Sequence, residues 1–230
     1  MRTLVDLIEL LREADDLFGP EGPCPALVEP GSNGRILVLT GGNASGKSLA
    51  CRFLEANAKD DAGKAVEFMR VGMAKRTEGG VIRAMMFGDE ERDSTGGVSA
   101  GVVATGMDTC RGRKAAHFLC LDEPDIGLSE RMQGGLGAAL ASFAASMPDL
   151  TLGLVVVTHS RHVAGALLAL DPWCIRVGDD VRPTREWAAT PEAPATEAEF
   201  LGLRGAAHAR YRGVQRALNA RKAKAGPAEG

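Results

Sequence analysis

The stretch RILVLTGGNASGKSLACRFL, residues 35–54, constrains this chain more than any other. A strand-like apolar run at 35–39 meets Gly41-x-x-x-x-Gly46-Lys47-Ser48, and a helical pattern follows at once over 47–58. Glycine lets the backbone approach a ligand closely, and a helix start aims its positive end at an anion. Strand, G-x-x-x-x-G-K-[ST] loop and helix in that order form the pattern of a P-loop. The backbone N–H groups of Gly41, Gly42, Asn43, Ala44, Ser45 and Gly46 are expected to wrap phosphates. Lys47 would meet the β/γ-phosphate charge, and the Ser48 hydroxyl would ligate Mg²⁺.

Other apolar runs recur at 65–69, 117–121, 152–157 and 173–177, with helical patterns between several of them at 101–113, 129–146 and 160–170. Runs this apolar fit strands covered on both faces, as in a parallel sheet with helical crossovers. The expected fold is α/β: a P-loop NTPase with a mostly parallel sheet flanked by helices. Residues 3–18 read as an amphipathic first helix, with Thr3 able to cap it. One domain is expected over 1–189. A linker at 190–199, a basic helix over 197–222 and a disordered tail make up 190–230. No apolar run approaches membrane-spanning length. The five cysteines form no C-x-x-C pair, and a net charge of −3 gives no global attraction to nucleic acid. These features point to a reducing, cytoplasmic setting without a membrane partner.

The second half of the expected site is HFLCLDEPDIGLS, 117–129, where an apolar strand ends in two acids. Asp122 would hold Mg²⁺, and Glu123 would polarise an attacking water as general base. A third strand, LGLVVVTHS, ends in His159. If it lies near the P-loop strand, His159 reaches the terminal phosphate.

GGNASGKS, FLCLDEP and VVVTHS, in that order, resemble the motifs of the ABC-type ATPase superfamily over about residues 35–178. The resemblance implies ATP and Mg²⁺ as cofactors and a homodimer in which two subunits pack head to tail. Each ATP then lies between one subunit's P-loop and the other's signature loop. The family's signature is a short Ser/Gly loop that opens a helix about two dozen residues before the magnesium aspartate. VSAGV, 98–102, fits, with Ser99 and Gly101 as contacts; DSTGG, with Ser94, is the rival register.

Two departures narrow the resemblance. The segment before the signature is too short for a transporter's docking subdomain, and no glutamine occurs between Ser48 and Met132. The ending GLS puts Ser129 where an acid is usual. The compact spacing is similar to MutS-like mismatch-repair ATPases, and the GLS ending to RecF-like and SMC-like heads, which implies work on DNA or RNA. An ATP-gated assembly module with little turnover is the alternative, and a transporter subunit is a more distant one. The final helix carries an apolar stripe of Phe200, Leu203, Ala207, Tyr211, Val214 and Leu218, with seven arginines and lysines and no acid between 200 and 224. It reads either as a docked helix with solvated charges or as a contact for nucleic acid or an acidic protein partner. Phe18 is the one aromatic before the P-loop, so the base has no evident stacking partner there.

Overall fold

A computed structural model describes residues 1–72, 95–180 and 182–225. Among these, six strands form one sheet: β1 (Ala26–Glu29), β2 (Asn33–Gly41), β3 (Glu67–Gly72), β4 (His117–Asp122), β5 (Thr151–Val157) and β6 (Pro172–Val177). Their spatial order is β1-β6-β2-β5-β4-β3. All neighbours pair in parallel except β1, which runs antiparallel to β6 at one edge. The architecture is therefore an α/β fold with a mostly parallel sheet flanked by helices.

The helices are α1 (Leu4–Arg12), α2 (Asp15–Phe18), α3 (Lys47–Asn57), α4 (Thr95–Gly112), α5 (Glu130–Ala145), α6 (Arg161–Leu168), α7 (Thr184–Ala189) and α8 (Glu197–Ala225). Successive side chains of a strand face opposite ways, so a strand buried on both faces feeds two cores. Leu37, Leu39, Val155, Val157 and Ile175 pack with α1, α2, α3 and Val214 of α8. Ile36, Val38, Val156, Leu119 and Leu121 pack with α4, α5, α6 and Trp187 of α7.

The expected first helix divides in two. Thr3 caps α1 in a reciprocal capping box with Asp6. The helix ends at Arg12, and α2 restarts with Asp15 and Asp16 in its first turn. Two carboxylates suit the positive start of a helix and oppose the negative end of one, so the chain breaks ahead of them. The helix expected to begin near Ser99 is already formed at Thr95, where the described residues resume, which puts Ser99 at least one turn inside it. Edge strand β1 and helix α7 were not anticipated; both are short and flanked by turn residues. Helix α8 runs to Ala225, into the stretch expected to be disordered. No described helix is long and apolar enough to cross a membrane. All five cysteines are free and buried.

Candidate functional site at the strand ends

Three neighbouring parallel strands end on the same side of the sheet. β2 delivers the 41–48 loop, β4 delivers Asp122 and Glu123, and β5 delivers His159. The pairing of β2 with β5, Leu39 opposite Val157, brings the first and third segments together as expected. The carboxyl ends of parallel strands are where open α/β sheets bind ligands.

The 41–48 loop is built around two left-handed glycines, Gly41 at φ 146° and Gly46 at φ 113°. Sterics enforce glycine at both. A Cβ on Gly41 would lie 2.2 Å from the Val177 carbonyl, and one on Gly46 would lie 2.5 Å from Cys24 Sγ. Ala44 also has positive φ, 56°. Gly42, Asn43, Ala44 and Ser48 are exposed, whereas Ser45 and Lys47 are buried. Lys47 Nζ donates to the carbonyls of Gly41 (3.1 Å) and Gly42 (2.9 Å). Burial pushes its ammonium down to about 8, although Glu123, Asp122 and Asp125 oppose the shift. Ser45 Oγ is buried and has no hydrogen-bond partner among the described residues. A buried hydroxyl of that kind in a glycine-walled loop suits an acceptor-rich guest such as phosphate.

Glu123 also has positive φ, 54°, unusual for a residue with a side chain. Its N–H donates to the Val157 carbonyl at 2.9 Å, which ties the end of β4 to β5. The strained turn swings the carboxylate toward the 41–48 loop, and Glu123, His159 and Lys47 line one cleft. His159 Nε2 lies 3.2 Å from Glu123 Oε1. That hydrogen bond, with the charges of His159 and Lys47, holds the Glu123 carboxyl below its usual range despite partial burial.

Asp122 is buried, and its carboxylate accepts from Arg70 of β3, through Nε at 3.1 Å and through Nη2. One carboxylate and the exposed Ser48 hydroxyl are a donor set of the kind that holds Mg²⁺ together with substrate phosphates. Arg70 occupies Oδ2 and leaves Oδ1 as the oxygen for that role. Among the described residues no cluster of three or more acidic, histidine or cysteine side chains forms a metal cage.

Ser99 is buried, and its hydroxyl donates to the Ile126 carbonyl at 2.7 Å, joining α4 to the turn after β4. Gly101 is exposed and its Cα faces open space. Of the two expected contacts, Gly101 therefore lies on the surface and Ser99 beneath it. Ser94 and the rest of 88–94 lie outside the described residues.

Several supporting residues escaped the sequence reading. Asp125 Oδ1 accepts from Thr158 Oγ1 at 2.7 Å, and the Ser160 N–H donates to that same Oγ1 at 2.9 Å. This relay locks the turn carrying Glu123 to the turn carrying His159. Burial pushes the Asp125 carboxyl up, partly offset by the Thr158 hydrogen bond. Cys24 and Gly178 brace the 41–48 loop from behind. Helix α8 reaches the loop from the C-terminal region, where Arg210 donates to the Ser45 carbonyl at 2.7 Å and pairs with Asp179 at 3.0 Å. Of these, only Asp125, the third acid of DEPD, lies in a motif that the sequence singled out. No family model and no curated protein matches the chain.

Proposed function

We propose that this chain is a compact ABC-type ATPase of non-transporter form, which binds and hydrolyses ATP between two copies packed head to tail. The reading is carried by the Glu123–His159 pair, 3.2 Å apart, in the same cleft as Lys47 and the glycine-walled loop. An ionised carboxylate can take a proton from water only if it stays ionised, and the His159 hydrogen bond favours that state. Because a carboxylate only accepts, His159 donates through Nε2 and so aims the Glu123 oxygen. Lys47 and the loop N–H groups bind and orient the phosphates, and Ser45 Oγ adds a donor. Mg²⁺, bound through Ser48 and Asp122, would neutralise phosphate charge as it develops.

Glu123→Gln should keep ATP binding and lose turnover by about 100-fold or more, the range of general-base loss. Lys47→Ala should lose binding itself. Steady-state phosphate release beside equilibrium ATP binding checks both, and parent-rate hydrolysis by Glu123→Gln would remove Glu123 as the base. If the parent chain binds ATP and dimerises without turnover, it is a nucleotide-gated assembly module instead. A role on nucleic acid draws less support. Arg210 and Arg221 of the basic helix pair with the chain's own Asp179 and Asp16.

A further inference from the structure

The cleft beside the 41–48 loop has a second wall. Its volume is about 360 Å³, and it is lined on one side by Ser45, Lys47 and Glu123 and on the other by Arg210, Tyr211 and Gln215 of α8. That volume falls in the range of small-molecule sites. A larger cleft of about 590 Å³ lies between Asp16, Glu21 and Arg216, but it contains none of the strand-end groups.

Helix α8 is fixed against the loop. Val214 is buried in the core beside Cys24, with Leu218 packed against the same cluster. Gly213 lets the helix approach Pro23, where a Cβ would come within 2.9 Å of the proline ring. Arg210 then bonds the Ser45 carbonyl, inside the loop itself. Residues four apart share a helix face, so Tyr211 and Gln215 stand side by side. Tyr211 is 64% exposed, although it belongs to the expected apolar stripe, of which Val214 and Leu218 are the members that pack on the core. Two other aromatic side chains near this region, Phe18 and Phe53, pack edge to face with ring centroids 5.5 Å apart, and Phe18 is buried. Among the described residues, Tyr211 is the one aromatic that lines the cleft.

We propose that α8 forms the nucleoside wall of this site, with the Tyr211 ring as the surface on which the base stacks and the Gln215 amide as a contact for its edge. The inference rests on reading the 41–48 loop as a triphosphate cradle. A ring with an apolar face and a polar tip, beside a phosphate-binding loop, suits a planar heterocycle joined to a polyanion. Arg210 is a positioning residue, because it sets the distance between the wall and the cradle.

Calorimetric binding of ATP and of inorganic tripolyphosphate to the full chain tests the proposal. The parent should bind ATP more tightly than tripolyphosphate. Tyr211→Ala should weaken ATP by about 10-fold, as loss of one base–aromatic stack does, and leave tripolyphosphate unchanged. Tyr211→Phe should behave as the parent. If Tyr211→Ala weakens both ligands alike, the residue only shapes the loop and the proposal fails. If ATP binding is unchanged in Tyr211→Ala, the base lies elsewhere and the proposal also fails. A parent chain that binds tripolyphosphate as tightly as ATP keeps the cradle and loses the wall. A parent that binds neither overturns the nucleotide reading itself.

Discussion

Lys47 is the residue on which the site's electrostatics turn. Its ammonium is buried, and its folded-state value is about 8 against an ordinary 10.5. Between those values the unfolded chain holds a proton that the folded chain has released. Below the window the buried charge therefore costs the fold its full desolvation penalty, and that penalty is relieved as pH rises through the window. A polyphosphate beside Nζ reverses the preference, because an adjacent anion favours the charged amine. At pH 8.5, ATP binding should therefore take up protons, by at most about one per site, and uptake should be smaller at pH 7. Calorimetry in two buffers of different ionisation enthalpy measures this. Equal or absent uptake at the two pH values would show that phosphate does not meet Lys47. Lys47, Glu123 and His159 were legible in the sequence because each sits in a short contiguous motif at the end of an apolar run. Arg70, Thr158, Cys24 and Arg210 were not. Each acts on a partner far away in sequence, and nothing in a local pattern announces a partner supplied by topology.

At the scale of elements, the strands were legible for a physical reason. Residues of both parities in β2, β4 and β5 are apolar, which only a doubly covered sheet requires. What stayed hidden were short elements and ends: β1, α7 and the break before Asp15. Each depends on packing or on one turn's charge rather than on a repeated pattern. The seating of α1 shows how narrow such packing is. Leu4, Leu7, Ile8 and Leu11 are fully buried, and Gly153 in the middle of β5 makes room for Leu4. A Cβ at Gly153 would stand 2.8 Å from Leu4 Cδ2 and 3.0 Å from its Cβ. Gly153→Val should therefore lift α1 and destabilise the fold by about 1–3 kcal/mol, the usual cost of overpacking a filled core. Leu4→Ala on that background should recover part of the loss, although on its own it leaves a cavity. Chemical denaturation of the three variants gives the coupling. Simple additivity would mean that the two side chains do not collide.

At the scale of the whole molecule, the question is whether one copy completes the site or two are needed. Glu123, His159 and Lys47 line a cleft within a single chain, with α8 as one wall. The head-to-tail reading adds a second chain, whose α4 start would face the terminal phosphate. Ser99 is a poor probe of that idea, because it is buried and bonded to Ile126, and a bulky side chain there would disturb its own subunit. Gly101 is a better one. It is exposed, and a Cβ there meets no atom within 4 Å, so an arginine fits the monomer without a clash and has a better helix propensity than the glycine it replaces. Gly101→Arg should fold and bind ATP as the parent does, yet fail to form the dimer that ATP and Mg²⁺ induce when Glu123→Gln blocks hydrolysis. Light scattering reads this directly. Complementation is the sharper form, since Gly101→Arg and Lys47→Ala should each be inactive alone. In a mixed dimer one of the two composite sites combines an intact Lys47 with an intact Gly101, so the mixture should regain activity. A site completed within one chain would leave Gly101→Arg active by itself and give the mixture nothing beyond the sum of its parts.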